Sequence, residues 1–240
     1  MDYDVWAPRY ARIRAEFGFP FEREVAAADA LERLLRPEDR RDPLARLAPR
    51  IRGRDAIVVG DAPGAGPPPL WRLPPSPPRP ALLAADGATA PCLAAGLVPS
   101  VIVTDLDGPV PSEVSASGRG SLVLVHAHGD NVPALERWVP EFPGELAGSW
   151  AGPPRPGLID VGGFTDGDRA AYLAEALGAR RILLWAFDFE RVDVPDPSAR
   201  AVKLAKLRWA RELLGDLARS SPVPVLRWGL DGSLVPYSTG

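Results

Sequence analysis

Acidic residues recur in this chain where extended runs end, and Asp105-Leu106-Asp107-Gly108 is the most chemical of these clusters. Two carboxylates spaced by two fall on one side of an extended chain. Paired hard oxygens suit Mg²⁺, which takes one or two carboxylates and fills its shell with water and substrate phosphates. Asp-Gly is also a common turn pair that needs no ligand. A second such pair at a neighbouring strand end, Asp86-Gly87, favours the metal. The two histidines, His126 and His128, are again two apart. With one cysteine and no further histidine, a zinc site would need carboxylates to complete it. A phosphate hydrogen-bond donor or a proton shuttle is therefore the better expectation for either ring. A buried, satisfied core residue is the alternative, above all for His126.

Thr165-x-x-Asp168 has capping-box spacing. The glycines just before it, with a helix N-terminus, also make an anion site. Bare carboxylates at Asp166 and Asp168 would repel phosphate, so a bridging cation or contacts to a hydroxyl or ring N–H are required there. Lys203 and Lys206 are the only lysines beside 26 arginines, and they lie three apart on one helix face. A compact ammonium suits phosphate contact; a solvated surface is the equal alternative.

These groups need elements to hold them. Residues 1–50 read as a helical cap; from Arg23 to Arg36 the apolar positions Ala27, Ala30, Leu31 and Leu34 keep helical spacing, and Pro37 closes the run. No cluster there looks chemical, and Trp6, Tyr10, Phe17 and Phe21 are expected to pack. Residues 51–240 read as an α/β domain. Strands are expected at Ala56–Val59, Ala81–Ala85, Val101–Thr104, Leu122–Val125, Leu158–Val161, Arg181–Phe187 and Val223–Arg227. Helices are expected at Thr89–Ala95, Pro133–Trp138, Asp166–Leu177 and Ser198–Arg219. Short apolar strands alternating with helices predict a mainly parallel, Rossmann-like sheet with helices on both faces. Ligands of such sheets bind beyond the carboxyl ends of the strands, where nearly every polar cluster falls. Between Pro63 and Pro80 nine of 18 residues are proline, so an irregular or polyproline-type surface loop joins the first two strands.

A chain of 240 residues suffices for a sizeable core. The net charge of −3 argues against a nucleic-acid binder. The single Cys92 excludes a disulfide framework and fits a reducing cytosol. The apolar runs are strand-sized, which excludes a transmembrane helix. Met1-Asp2-Tyr3-Asp4 is acidic where a signal peptide would be basic. A cytoplasmic protein is expected. Trp6, Trp150, Trp228 and the proline loop leave room for an interface between copies.

Taken in order, Asp86-Gly87-Ala88-Thr89, Gly96-Leu97-Val98-Pro99-Ser100, Thr104-Asp105-Leu106-Asp107-Gly108, His126-Ala127-His128-Gly129-Asp130-Asn131 and Gly162 to Arg169 resemble the archaeal 6-hydroxymethyl-7,8-dihydropterin pyrophosphokinase family. Phe187-Asp188-Phe189 and Lys203 to Leu207 extend the resemblance, which covers roughly residues 55 to 215. That family is distantly similar to thiamine pyrophosphokinases. The chain departs from the pattern in its Pro63–Pro80 loop, where a glycine-rich turn into a helix is expected, and that departure tells against a phosphate role for Gly60, Gly64 and Gly66.

The resemblance implies Mg²⁺-dependent transfer of diphosphate from ATP to a reduced pterin, in tetrahydromethanopterin or folate biosynthesis. It implies that Asp86, Asp105 and Asp107 hold the metal. ATP would meet Asp86, Gly87, Thr104, Lys203, Lys206 and Arg169. The pterin would meet Asn131, Phe164, Thr165, Asp166, Asp168 and Asp188, with Phe164 or Phe187 against its ring. Asp130 or His128 would orient or deprotonate the hydroxymethyl group. A thiamine pyrophosphokinase is the rival enzyme; its C-terminal all-β domain has little room in the dozen residues after Val223–Arg227. A non-catalytic nucleotide- or sugar-nucleotide-binding module is the rival of another class, and it has no need of the paired Asp105 and Asp107.

Overall fold

The structure is a computed structural model that describes residues 3–73, 77–229 and 231–239. The first two residues of the acidic start, and positions 74–76 of the proline loop, lie outside the described residues. Four helices come first: α1 (Tyr3–Phe17), α2 (Phe21–Leu34), α3 (Pro37–Arg40) and α4 (Pro43–Ile51). Then follow β1 (Asp55–Val59), β2 (Ala81–Ala85), α5 (Thr89–Ala94), β3 (Val101–Thr104), α6 (Val110–Gly118), β4 (Leu122–His126), α7 (Val132–Trp138), β5 (Leu146–Ser149) and β6 (Leu158–Ile159). The last are α8 (Asp166–Ala176), β7 (Arg181–Trp185), α9 (Pro197–Ser220), β8 (Val225–Trp228) and β9 (Leu234–Pro236).

The described strands form one sheet in the order β6-β5-β4-β3-β2-β1-β7-β8-β9. Every pairing is parallel except β8 with β9. The chain steps outward from β1 to β6 and then returns to β7 on the other side of β1. That reversal is the switch point at which open α/β sheets hold ligands.

Both faces of the sheet are covered, so its strands are continuous apolar runs whose residues alternate between two cores. Val58, Leu83, Val103 and Leu124 face α1, α4, α8 and α9. Ile102, Val123 and Val125 face α2, α6 and α7 on the other side. The N-terminal helices therefore divide between the two faces: Trp6 and Tyr10 of α1 join one core, Ala27 and Leu31 of α2 the other. Trp6, Trp150 and Trp228 are buried and offer no surface to a second copy; Trp71, in the proline-rich segment, is the large exposed aromatic. That segment makes a single turn of 3₁₀ helix at Leu70–Arg72. No helix among the described residues is long and apolar enough to cross a membrane.

Candidate active site

The carboxyl ends of β1, β2, β3 and β7, the first turn of α8 and one face of α9 enclose a cleft of about 870 Å³. Asp86, Gly87, Asp105, Asp107, Phe164, Thr165, Asp166, Asp188, Lys203 and Lys206 all line it. Its floor is an acidic triad: one carboxylate oxygen from each of Asp86, Asp105 and Asp107 lies within 4.8 Å of the others.

The triad converges by a turn, where the sequence predicts strand alternation. β3 ends at Thr104, and Leu106 takes a left-handed φ of 68°. A non-glycine residue there is strained by roughly 1–2 kcal/mol, and Leu106 is anchored by burial. The Thr104 hydroxyl accepts from the Leu106 amide at 2.9 Å and donates to Asp86 Oδ2 at 3.3 Å. Gly108 N–H donates to the same oxygen at 3.1 Å. A Cβ on Gly108 would stand 1.8 Å from Asp86 Oδ1, so the glycine is the space the carboxylate occupies. Thr104 is fully buried and supports the triad from behind.

Buried Asp86 Oδ1 has no hydrogen-bond partner among the described residues, a costly state for a carboxylate unless a cation or proton meets it. Three hard-oxygen donors at this spacing, one of them orphaned, fit Mg²⁺. Burial, with the charges of Asp107 and Asp105, pushes Asp86 up to about 7 although neighbouring Glu113 opposes it. Burial and Asp107 push Asp105 up to about 6. Asp166 is also raised well above the carboxylate range, first by burial and then by Asp105 and Asp86. Behind Asp86, Glu113 of α6 is wholly enclosed, and burial with the Asp86 charge lifts it to about 10. Both Glu113 oxygens also have no hydrogen-bond partner among the described residues, so a proton held by Glu113 is the alternative to a cation at Asp86 Oδ1.

Both lysines face this acid from α9. Neither forms an ion pair among the described residues, while every arginine–carboxylate pair found in the structure lies elsewhere or, at Asp188–Arg191, on the rim itself. Asp61, at the end of β1, also lines the cleft; burial raises its pKa and the charge of Lys203 opposes that.

Other predicted residues stand elsewhere. Asp168 is buried in the capping box, accepting from Phe164 N–H at 2.7 Å, Thr165 N–H at 2.8 Å and the Thr165 hydroxyl. Its oxygens are taken, so it does not reach a ligand. Arg169 is 1% exposed and does not line the large cleft; carbonyls of Gly162 and Phe164 are its partners, at 3.4 and 3.5 Å. It lines instead an adjoining cavity of about 20 Å³, room for a single water, with Tyr10, His126, His128, Asp105, Asp166, Lys206 and Phe164. Asn131 is a loop brace, donating to the carbonyls of Asp105 at 2.7 Å and His126 at 2.8 Å. Asp130 is exposed, its carboxylate 3.5 Å from His128 Nε2. Asp188 lines the cleft but caps its own turn, accepting from the amides of Glu190 and Arg191 at 3.0 Å.

His126 is the satisfied core residue. Its Nδ1 is 3.0 Å from Ser149 Oγ, and burial, then Arg169, holds its pKa well below the usual value. His128 lies outside the large cleft; it lines the adjoining small cavity, which shares Asp105, Asp166 and Lys206 with that cleft.

Four residues are not singled out by spacing: Asp61 lines the cleft, Tyr10 the small cavity, and Glu113 and Glu24 stand behind Asp86 and His128. Asp61 carries a readable signal, since it ends β1. Glu113, Glu24 and Tyr10 arrive from helices packed through the tertiary fold.

Fold and rim define an open, doubly wound α/β protein with a carboxylate-floored ligand cleft at its switch point. Residues 37–193 match the family described as 6-hydroxymethylpterin diphosphokinase MptE-like. Three relatives, each named 6-hydroxymethyl-7,8-dihydropterin pyrophosphokinase, align along their whole length. They come from Methanothermobacter thermautotrophicus (37% identical, 95% of this chain), Pyrococcus furiosus (36%, 96%) and Methanocaldococcus jannaschii (30%, 95%). The chain belongs to this MptE-like family.

Proposed function

We propose that the chain transfers diphosphate from ATP to the hydroxymethyl group of 6-hydroxymethyl-7,8-dihydropterin, with Mg²⁺, releasing AMP. The observation that carries this reading is the acidic triad sharing one cleft with two lysines that have no ion-pair partner among the described residues. The names of the full-length relatives support the choice of alcohol.

In the reaction the substrate oxygen bonds to the β-phosphorus, the bond from that phosphorus to the α-bridging oxygen breaks, and the hydroxyl proton departs. Such transfers need positioning and charge neutralisation more than covalent help. A divalent cation held by Asp86, Asp105 and Asp107 would neutralise phosphate oxygens. Lys203 and Lys206 screen the phosphate chain from α9. His128 orients the hydroxyl or receives its proton through Nε2. Phe164 and Phe187 offer apolar faces to the ring, and Asp166 an acceptor for its N–H edge. Residues 1–50 serve as a helical cap on the α/β domain of residues 51–240. The product fits tetrahydromethanopterin or folate biosynthesis in the cytoplasm.

The test is AMP release from ATP and Mg²⁺ with the pterin or with thiamine. Release with the pterin alone, abolished by EDTA, is expected. Release with thiamine alone makes it the rival kinase; silence with both makes it a binding module.

A further inference from the structure

The loop after β4 is fastened to a residue 105 positions earlier in the chain. Glu24 of α2 is 1% exposed. Its Oε1 lies 3.1 Å from His128 Nδ1 and 3.3 Å from the Gly129 amide nitrogen. A carboxylate buried this deeply requires donors; Oε1 finds the ring N–H of His128 and the N–H of Gly129, while Oε2, with Tyr10 nearby, has no hydrogen-bond partner among the described residues. Gly129 has no side chain for a visible reason: a Cβ there would meet Arg23 Cβ at 2.9 Å and Glu24 Oε1 at 3.0 Å. Phe19 closes on the His128 ring edge-on at 4.6 Å. Asn131 Oδ1 accepts from the His128 amide at 3.0 Å. The imidazole is thus held on three sides, with Nδ1 tied off.

We infer that Glu24 is a positioning residue for the transfer reaction, holding the Nδ1 proton of His128 so that Nε2 is presented to the site. The inference rests on the reading in which His128 serves the substrate hydroxyl. Several charges face that ring. Glu24 and Tyr10 approach from α2 and α1, Asp130 and His126 from its own loop and strand. Asp105 lies at the end of β3, Asp166 and Arg169 on α8, and Lys206 on α9. Burial acts to lower the His128 pKa, but the hydrogen bond and charge of Glu24, helped by Asp130, outweigh it and hold it above the usual value.

The chain has only two histidines, and His126 is neutral, so the imidazole that titrates in a proton–nitrogen NMR spectrum is His128; His128→Gln assigns it. Glu24→Gln keeps the shape and removes the charge. Its expected effects are a fall of about one unit in the His128 midpoint and the same shift of the acidic limb of the activity profile to lower pH. With these goes a roughly tenfold loss of kcat at unchanged KM for ATP. In the His128→Gln background Glu24→Gln is expected to cost nothing further. Glu24→Asp, which retains the charge, restores the limb, and it carries the test if the glutamine variant does not fold. An unmoved midpoint overturns the inference. So does a moved midpoint with an unmoved profile, or an equal loss of kcat in the His128→Gln background. A wild-type protein silent toward the pterin breaks the functional reading and takes this inference with it, a result distinct from an active wild type whose profile ignores Glu24.

Discussion

The two rims of the sheet treat buried acid in opposite ways. At the amino ends of the strands, Asp55 is held by Arg180 and Arg181, each at 2.8 Å, and Asp39 by Arg36 at 2.5 Å and the Leu146 amide at 3.0 Å. Burial acts to raise the Asp55 pKa, yet hydrogen bonds from its two arginines outweigh it and leave the carboxyl below its usual range. At the carboxyl ends, Asp86, Asp105 and Asp166 are raised, and neither lysine across the cleft has an ion-pair partner among the described residues. One rim neutralises its charges internally and gains stability. The other leaves those three aspartates without an arginine partner, a state that a proton or a cation relieves.

Four measurements break or sharpen that contrast. The largest effect is expected from Asp107→Asn, which removes an exposed triad member: diphosphate transfer should fall by about 10³-fold or more, with no loss of melting temperature. Unfolding instead would make Asp107 a structural turn residue. Next is pH. The native state keeps a proton on Asp86 up to about 7, which the unfolded chain releases near 4. Its contribution is therefore present at low pH and lost as pH rises through that window. Metal-free protein should lose on the order of 3 kcal/mol across it, and Mg²⁺ at pH 7.5 should restore the loss; thermal melts with and without the ion decide. A third is Asp55→Asn, expected to cost about 2 kcal/mol of stability, less than a fully buried pair because its arginines are partly exposed. Activity per folded molecule should be unchanged. The smallest is Lys203→Met, expected to raise the KM for ATP about tenfold, or about 1.4 kcal/mol, while leaving the melting temperature alone.

Much of the fold is legible in the sequence. β2 and β3 have the bounds their apolar runs predict, and β1 and β4 differ by one residue at an end. β7 stops two residues early, at Trp185, because Ala186 adopts a left-handed φ of 59°. β5 escapes notice because Leu-Ala-Gly-Ser has weak strand propensity; its position between β4 and β6 creates the strand. α6, with Pro111, three serines and Gly118, is hidden in the same way. In the site, local signals reveal Asp86, Asp105 and Asp107, which follow strands directly. Glu24 and Glu113 are invisible because their partners are distant in the chain, and Asp168 misleads because one spacing serves both a cap and a ligand.

The sheet finishes at each side in its shortest strands: two residues in β6, three in β9. β9 runs antiparallel to β8 and contains Pro236, which has no amide hydrogen to offer a neighbour. Brief, interrupted margins of this kind deny a template for edge-to-edge zipping. Fibre-like growth of the nine-stranded ribbon is thereby discouraged.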